Sequence, residues 1–234
     1  MDALAALAAE PGSAALFFDV DGTLAPIVAD PQDARVPDAT RSELRRLASR
    51  YALVACVSGR TGDDARRIVG VDGIVYVGEH GLELEPEAER WVGPLHEFAA
   101  SVDWPAEAKR LTTSFHYRTA DDPGAAEELL RRTAERALAA GLRPRFGRMV
   151  LEIRPPVDAD KGTAVRRLLA ERGLRRALYA GDDTTDIDAF RGLDGLDVAV
   201  RIAISSAEGP SELGAAADIV VGGPEALAEL LRRL

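Results

Sequence analysis

From about residue 14 the chain alternates short apolar runs with amphipathic stretches. Leu16–Val20, Leu53–Val57 and Ile74–Val77 read as buried strands, each ended by polar or glycine-bearing turns. Between the first two, the spacing predicts a helix over about 39–50, with Leu44, Leu47 and Ala48 on one face. Between the second and third it predicts a helix near 62–69. Thr61 is its N-cap, Asp63 and Asp64 fill its first turn, and Gly70 stops it. Strands alternating with helices imply βαβ units and a parallel sheet covered on both sides.

The rhythm changes after Glu79. Lys109–Tyr117 alternates residue by residue, the pattern of a half-exposed strand. A helix follows over about 123–140, with Asp122 as N-cap, Pro123 at its first position and Gly141 beyond its end. Phe146-Gly147-Arg148 reads as a hairpin turn, and Met149, Leu151 and Ile153 share one face of the outgoing strand. This insert therefore reads as a helix over an antiparallel sheet. From Asp160 the βαβ rhythm resumes, with a helix over 161–172, strands at Ala177–Ala180, Val198–Ile202 and Asp218–Val221, and a closing helix opened by Pro224. The expectation is an α/β core split in sequence (residues 1–83 and 157–234) around an inserted unit at 84–156.

Composition narrows the class of function. The 234 residues are 47% hydrophobic, enough for a core, and no apolar run reaches the length of a membrane span. Residues 1–15 are Ala-rich without a basic leader, so a cytoplasmic protein is expected. Cys56 is the single cysteine and reads as a small buried filler. The 29 basic and 39 acidic residues give a net charge of −10, unsuited to a nucleic-acid backbone.

Candidate chemistry sits at the strand ends. Phe18-Asp19-Val20-Asp21-Gly22-Thr23-Leu24 places two carboxylates just past an apolar strand, the edge at which open α/β sheets bind ligands. One of two such aspartates can attack phosphorus while the other protonates the leaving oxygen and later activates water. Gly22 lets the chain turn, and Thr23 adds a hydroxyl and an N–H. Val57-Ser58-Gly59-Arg60 ends the second strand with a hydroxyl and a free backbone N–H suited to phosphate oxygens. Gly181-Asp182-Asp183-Thr184-Thr185-Asp186 brings three carboxylates within five residues, a set that calls for a cation. Hard oxygen ligands beside a phosphate point to Mg²⁺, while one of the three is expected only to cap the following helix. Lys161 opens a helix, where a cation opposes the dipole and phosphate neutralisation would explain it.

These four segments resemble, in order, the four motifs of the haloacid dehalogenase superfamily of phosphotransferases. The resemblance implies a Rossmann-like parallel-sheet core with a smaller inserted α/β cap. It implies Asp19 as nucleophile and metal ligand, and Asp21 as general acid/base whose carbonyl also binds the metal. Ser58, Gly59, Thr23 and Lys161 would hold the phosphoryl group. Asp182 would bind the metal directly, supported by Asp183 and Asp186. Within that superfamily the chain is similar to the trehalose-6-phosphate phosphatases from Phe17 to the last helix. Gly78-Glu79-His80-Gly81, Glu107-Ala108-Lys109, Phe115-His116-Tyr117-Arg118 and Leu151-Glu152-Ile153-Arg154-Pro155 carry that likeness. It implies sugar recognition by Glu107, Lys109, Arg118 and Glu152, to which Arg60 and His116 are added as substrate contacts. Glu107 and Lys109 share a strand face by parity, and Arg118 does not. The chain departs from the family in Ile187, where Glu is usual, with Asp188 next, and in the approach to Lys161. The expected protein is a monomeric, Mg²⁺-dependent phosphatase of trehalose 6-phosphate, without a nucleic-acid or membrane partner. Sucrose 6-phosphate and mannosyl-3-phosphoglycerate are the alternative substrates, and a silent sugar-phosphate sensor is the non-enzymatic one. His80 reads as a loop residue, His96 as solvated, and Trp91 and Trp104 as packing residues.

Overall fold

The computed structural model describes residues 3–28, 30–147, 149–206 and 209–234. The chain divides into two compact units, one made of Met1–Gly81 with Ala159–Leu234, the other of Leu82–Asp158.

In the first unit, α1 (Ala3–Ala9) leads into β1 (Ala15–Phe18), α2 (Asp38–Ala48), β2 (Leu53–Val57), α3 (Gly62–Val69) and β3 (Val75–Val77). Every residue of β1 and β2 is buried, as in a strand covered on both faces. Thr61 accepts from the Asp64 N–H at 3.2 Å and caps α3, and Gly70 ends that helix at φ 62°.

The second unit contains α4 (Val92–Ala100), β4 (Glu107–Ala108), β5 (Thr113–His116), α5 (Pro123–Ala139), β6 (Arg143–Gly147) and β7 (Val150–Arg154). Its sheet runs in the order β4-β5-β7-β6 and is antiparallel throughout. Phe115, Leu151 and Ile153 project to one side, into a core shared with Leu95, Phe98, Leu130 and Ala137 of α4 and α5. Each large apolar side chain buried there contributes roughly 1.5–3 kcal/mol. Trp91 and Trp104 pack against that core, as expected of them.

Two sequence expectations fail here. Lys109–Tyr117 is not one strand: β4 ends at Ala108, and the Lys109 N–H closes a turn on the Thr112 carbonyl at 2.9 Å before β5 begins. Phe146 and Gly147 belong to β6, with Gly147 paired to Val150, so the reversal falls beyond Gly147; Arg148 lies outside the described residues.

The first unit resumes with α6 (Lys161–Arg172), β8 (Arg176–Gly181), α7 (Thr184–Gly192), β9 (Val198–Ile204), α8 (Ser211–Ala216), β10 (Ile219–Val221) and α9 (Pro224–Leu231). The six strands form one sheet in the order β10-β9-β8-β1-β2-β3, all neighbours parallel. Leu16 and Phe18 join a core with Leu44, Leu47, Ile68, Leu227 and Leu231 on one face. On the other, Tyr179 of β8 meets Phe190 of α7 edge to face at 6.0 Å. The strand order reverses at β1 and β8, which opens a crevice at their C-terminal ends. No helix among the described residues is long and apolar enough to cross a membrane.

Candidate active site

Asp19 follows β1 and Asp182 follows β8, so both sit at that reversal point. The Asp19 N–H donates to the Ala180 carbonyl at 2.9 Å, which extends the β1–β8 ladder by one residue. Past Val20 the chain folds back: the Leu24 and Ala25 N–H groups both donate to the Val20 carbonyl, at 3.0 and 2.8 Å. Gly22 makes this bend at φ 79°, and the Asp182 carboxylate lies where its Cβ would be, 2.1 Å away. Glycine is required there on both counts.

Lys161, the first residue of α6, is drawn inward. Its Nζ donates to Asp19 Oδ1 and to Asp186 Oδ1, each at 2.7 Å. The Lys161 side chain is 3% exposed, Asp186 0% and Asp19 8%, so water screens these charges little. Asp160 caps α6 by accepting from the Thr163 N–H at 2.7 Å, which fixes where the lysine emerges.

Asp186 is saturated. Its Oδ1 also accepts from the Tyr179 hydroxyl at 2.7 Å, and its Oδ2 accepts from the N–H groups of Asp182 and Asp183 at 2.9 Å each. Tyr179 was not singled out from the sequence as a functional residue. A tyrosine two residues before Gly181, on the same face of a buried strand, was the available signal. Burial, and then the Asp186 charge, push its phenol up, so it remains a neutral donor. Asp183, by contrast, is exposed at the N-cap position of α7, where its carboxylate accepts from the Thr184 hydroxyl at 3.3 Å.

The electrostatics of the cluster suit a cation. Burial raises the Asp19 carboxyl well above the ordinary range, against the pull of Lys161. Burial and the Asp186 charge push Asp182 up to about 7. Burial favours the neutral amine of Lys161, but Asp186 and Asp19 together overcome it and hold the ammonium charged. Three carboxylates thus face one ammonium. Carboxylate oxygens of Asp19, Asp182 and Asp186 fall within 4.8 Å of one another. Asp19 and Asp182 each keep an oxygen without a hydrogen bond among the described residues, whereas Asp186 does not. Hard oxygen donors with excess negative charge fit a divalent cation held by Asp19 and Asp182, with Asp186 behind them.

The remaining core residues are placed as follows. Thr23 is fully buried and its hydroxyl donates to Asp182 Oδ1 at 3.2 Å. Asp21 is gripped by Arg60, whose Nε and Nη2 donate to its two oxygens at 2.6 and 2.7 Å. Arg60 Nη2 also donates to the Pro31 carbonyl at 2.9 Å, so the structure sets this guanidinium against the candidate acid/base. Ser58 follows β2 and is buried; its N–H donates to the Val77 carbonyl at 3.0 Å because the β2–β3 ladder continues one residue further. Its hydroxyl accepts from the Arg60 N–H at 3.2 Å. Asp188, beside Ile187, pairs with Arg191 at 2.9 Å on α7 and does not join the carboxylate cluster. Cys56 is buried, and burial raises its thiol, consistent with a filler.

In the second unit the pairing register aligns Glu107, Ser114, Glu152 and Arg145 in one row across all four strands. That row lies opposite the Phe115 face. His116 shares its side, with its Nε2 2.7 Å from Glu107 Oε2. Lys109 Nζ is 3.9 Å from Glu107 Oε1, although Lys109 lies in the turn past β4, so the strand parity expected for it does not apply. Arg118 is exposed beyond the end of β5. His96 is exposed and bonds the Lys109 carbonyl at 3.2 Å.

A family model described as trehalose-phosphatase matches residues 17–104 and 105–218. The chain is 35% identical over 229 residues to the trehalose-phosphate phosphatase of Mycobacterium marinum, with 86% of this chain and 58% of that one covered. It is 36% identical over 209 residues to the trehalose-phosphate phosphatase of Mycobacterium avium, with 77% and 51% covered. The chain thus spans a little over half the length of these curated relatives. Among solved structures, a trehalose-6-phosphate phosphatase related protein superposes with a TM-score of 0.75 at 24% identity, covering 93% of this chain and 95% of that one. A haloacid dehalogenase-like hydrolase from Bacteroides thetaiotaomicron gives 0.65 at 15% identity, with 94% and 98% covered. At these identities the structures speak for the fold alone, a parallel-sheet core with an inserted antiparallel unit.

Proposed function

Because the chain belongs to the trehalose-phosphatase family, we propose that it hydrolyses trehalose 6-phosphate by way of an aspartyl phosphate on Asp19. The observation that carries this reading is the buried line Asp19–Lys161–Asp186, with Asp182 beside it, at the reversal point of the parallel sheet.

Lys161, held charged, offsets the entering phosphoryl group and fixes one oxygen of Asp19. A carboxylate oxygen of Asp19 attacks phosphorus in line, and the bond from phosphorus to the sugar oxygen breaks. Asp21 gives a proton to that oxygen, then takes one from the water that hydrolyses the aspartyl phosphate. Arg60 holds both Asp21 oxygens, so each proton transfer requires one of those bonds to open. Ser58, Gly59 and Thr23 hold phosphoryl oxygens. Asp19, Asp182 and the Asp21 carbonyl would bind Mg²⁺, with Asp183 and Asp186 in support, and its charge would offset that of nucleophile and phosphate.

We assign catalysis to the core, residues 1–83 and 157–234, and sugar recognition to the inserted cap, 84–156. Glu107 and Glu152 accept from sugar hydroxyls, Lys109 and Arg118 donate to them, and His116 orients Glu107.

Phosphate release from trehalose 6-phosphate, with and without Mg²⁺, tests this beside glucose 6-phosphate, sucrose 6-phosphate and mannosyl-3-phosphoglycerate. A metal-dependent preference for trehalose 6-phosphate is expected. A different preference would discard the substrate and keep the chemistry; silence on all four would discard both.

A further inference from the structure

Glu79 (φ 48°) and His80 (φ 56°) are consecutive non-glycine residues with left-handed backbone, in the turn that follows β3. Such conformations persist where surrounding contacts enforce them. Here the contacts run to the loop after β2. The Glu79 N–H donates to the Arg60 carbonyl at 2.7 Å, and the His80 N–H to the Ser58 carbonyl at 2.9 Å. The imidazole of His80 lies on Gly59: a Cβ at residue 59 would stand 2.7 Å from both its Cε1 and its Nε2. Gly81 (φ 99°) presses on the second phosphate element, where a Cβ would stand 2.7 Å from the carbonyl oxygen of Asp160, the cap of α6. One turn thus touches both the Ser58–Arg60 loop and the start of the helix that carries Lys161.

We infer that His80 is a positioning residue of the phosphate site, acting through Gly59, and that residue 59 is glycine to seat the imidazole. This rests on the assignment of Ser58, Gly59 and Lys161 to phosphate binding. A bare backbone at 59 has two explanations with opposite consequences. If a ligand needs the space, Ala at 59 harms binding whatever stands at 80. If the imidazole needs it, removing the ring makes room for the methyl group.

The test is a double-mutant cycle on the whole chain, with inorganic phosphate as probe. Gly59→Ala, His80→Gly and the double variant are compared by phosphate inhibition of a small ester's hydrolysis, by direct phosphate titration, and by thermal unfolding without phosphate. Glycine adopts the backbone of residue 80 without strain, so His80→Gly removes the ring alone. Each single change is expected to weaken phosphate binding roughly tenfold, a typical effect for contacting residues, while Gly59→Ala on the His80→Gly background changes it by less than about threefold. His80→Asn, which tolerates left-handed φ and keeps a short side chain over Gly59, is expected to recover part of the affinity. A Gly59→Ala loss equal on both backgrounds would overturn the inference. So would His80→Gly and His80→Asn variants with lowered melting temperature but wild-type phosphate affinity, since that is a purely structural role. Wild-type protein that binds no phosphate would remove the functional assignment together with this inference, an outcome distinct from the other two.

Discussion

Asp182→Asn should stabilise the metal-free protein while abolishing its response to Mg²⁺. The Asp182 carboxyl is raised from 3.8 to about 7, by burial and then by the charge of Asp186. Between those values the unfolded chain releases the proton and the folded chain keeps it. Stability from this group is therefore full below about pH 4, declines as pH rises, and is gone above about pH 7. At about 1.4 kcal/mol per pH unit, and with the charge shared among Asp19, Asp182 and Asp186, the loss at pH 8 is roughly 2–4 kcal/mol. Asparagine carries no charge, and its oxygen still accepts from Thr23, which bonds Asp182 at 3.2 Å in the native protein. Urea unfolding in a chelator should thus show the variant about 2–4 kcal/mol more stable at pH 8, with the gap shrinking to roughly a third of that at pH 5. Added Mg²⁺ should stabilise the wild type in proportion to the logarithm of its concentration and leave the variant unchanged. A variant no more stable than wild type at pH 8 in chelator, or one that keeps the full Mg²⁺ response, would refute the reasoning.

Asp19→Asn should abolish phosphate release while near-UV circular dichroism stays close to wild type; appreciable residual turnover would remove Asp19 as nucleophile. Lys161→Met leaves Asp19 and Asp186 without their shared ammonium, and urea unfolding at pH 8 should register a loss of about 3–5 kcal/mol along with activity. Tyr179→Phe removes one donor to a buried carboxylate and should destabilise the fold by about 1–3 kcal/mol, measured in the same assay, with substrate preference unaltered. Glu152→Ala should depress kcat/KM for trehalose 6-phosphate far more than for a small generic phosphate ester. Equal losses on both would take Glu152 out of sugar recognition.

Local chemistry made much of this legible in advance. The caps Thr61, Asp122 and the glycines after α3 and α6 sit where residue type demanded, and the apolar runs marked the buried strands. What escaped depends on tertiary context. Lys109-Arg110-Leu111-Thr112 contains no glycine, proline or asparagine, so nothing announced the turn that splits the expected strand into β4 and β5. Gly147 read as a turn residue because glycine usually breaks strands, yet its pairing with Val150 keeps it in β6. Which of Asp182, Asp183 and Asp186 points inward could not be decided from spacing. It follows from Lys161, 25 residues before Asp186, and Tyr179, seven before it on β8, converging on Asp186. The grip of Arg60 on Asp21 joins residues 39 apart, and it exists only because β1 and β2 lie side by side in parallel register.

The central claim is that the phosphoryl group passes through Asp19. The direct measurement is acid quenching of the wild-type chain during turnover of trehalose 6-phosphate with Mg²⁺, followed by mass mapping of its peptides. A phosphate adduct on Asp19, absent without substrate and absent in Asp19→Asn, is the predicted result. Continued turnover with no adduct, or with the adduct on another residue, would contradict it.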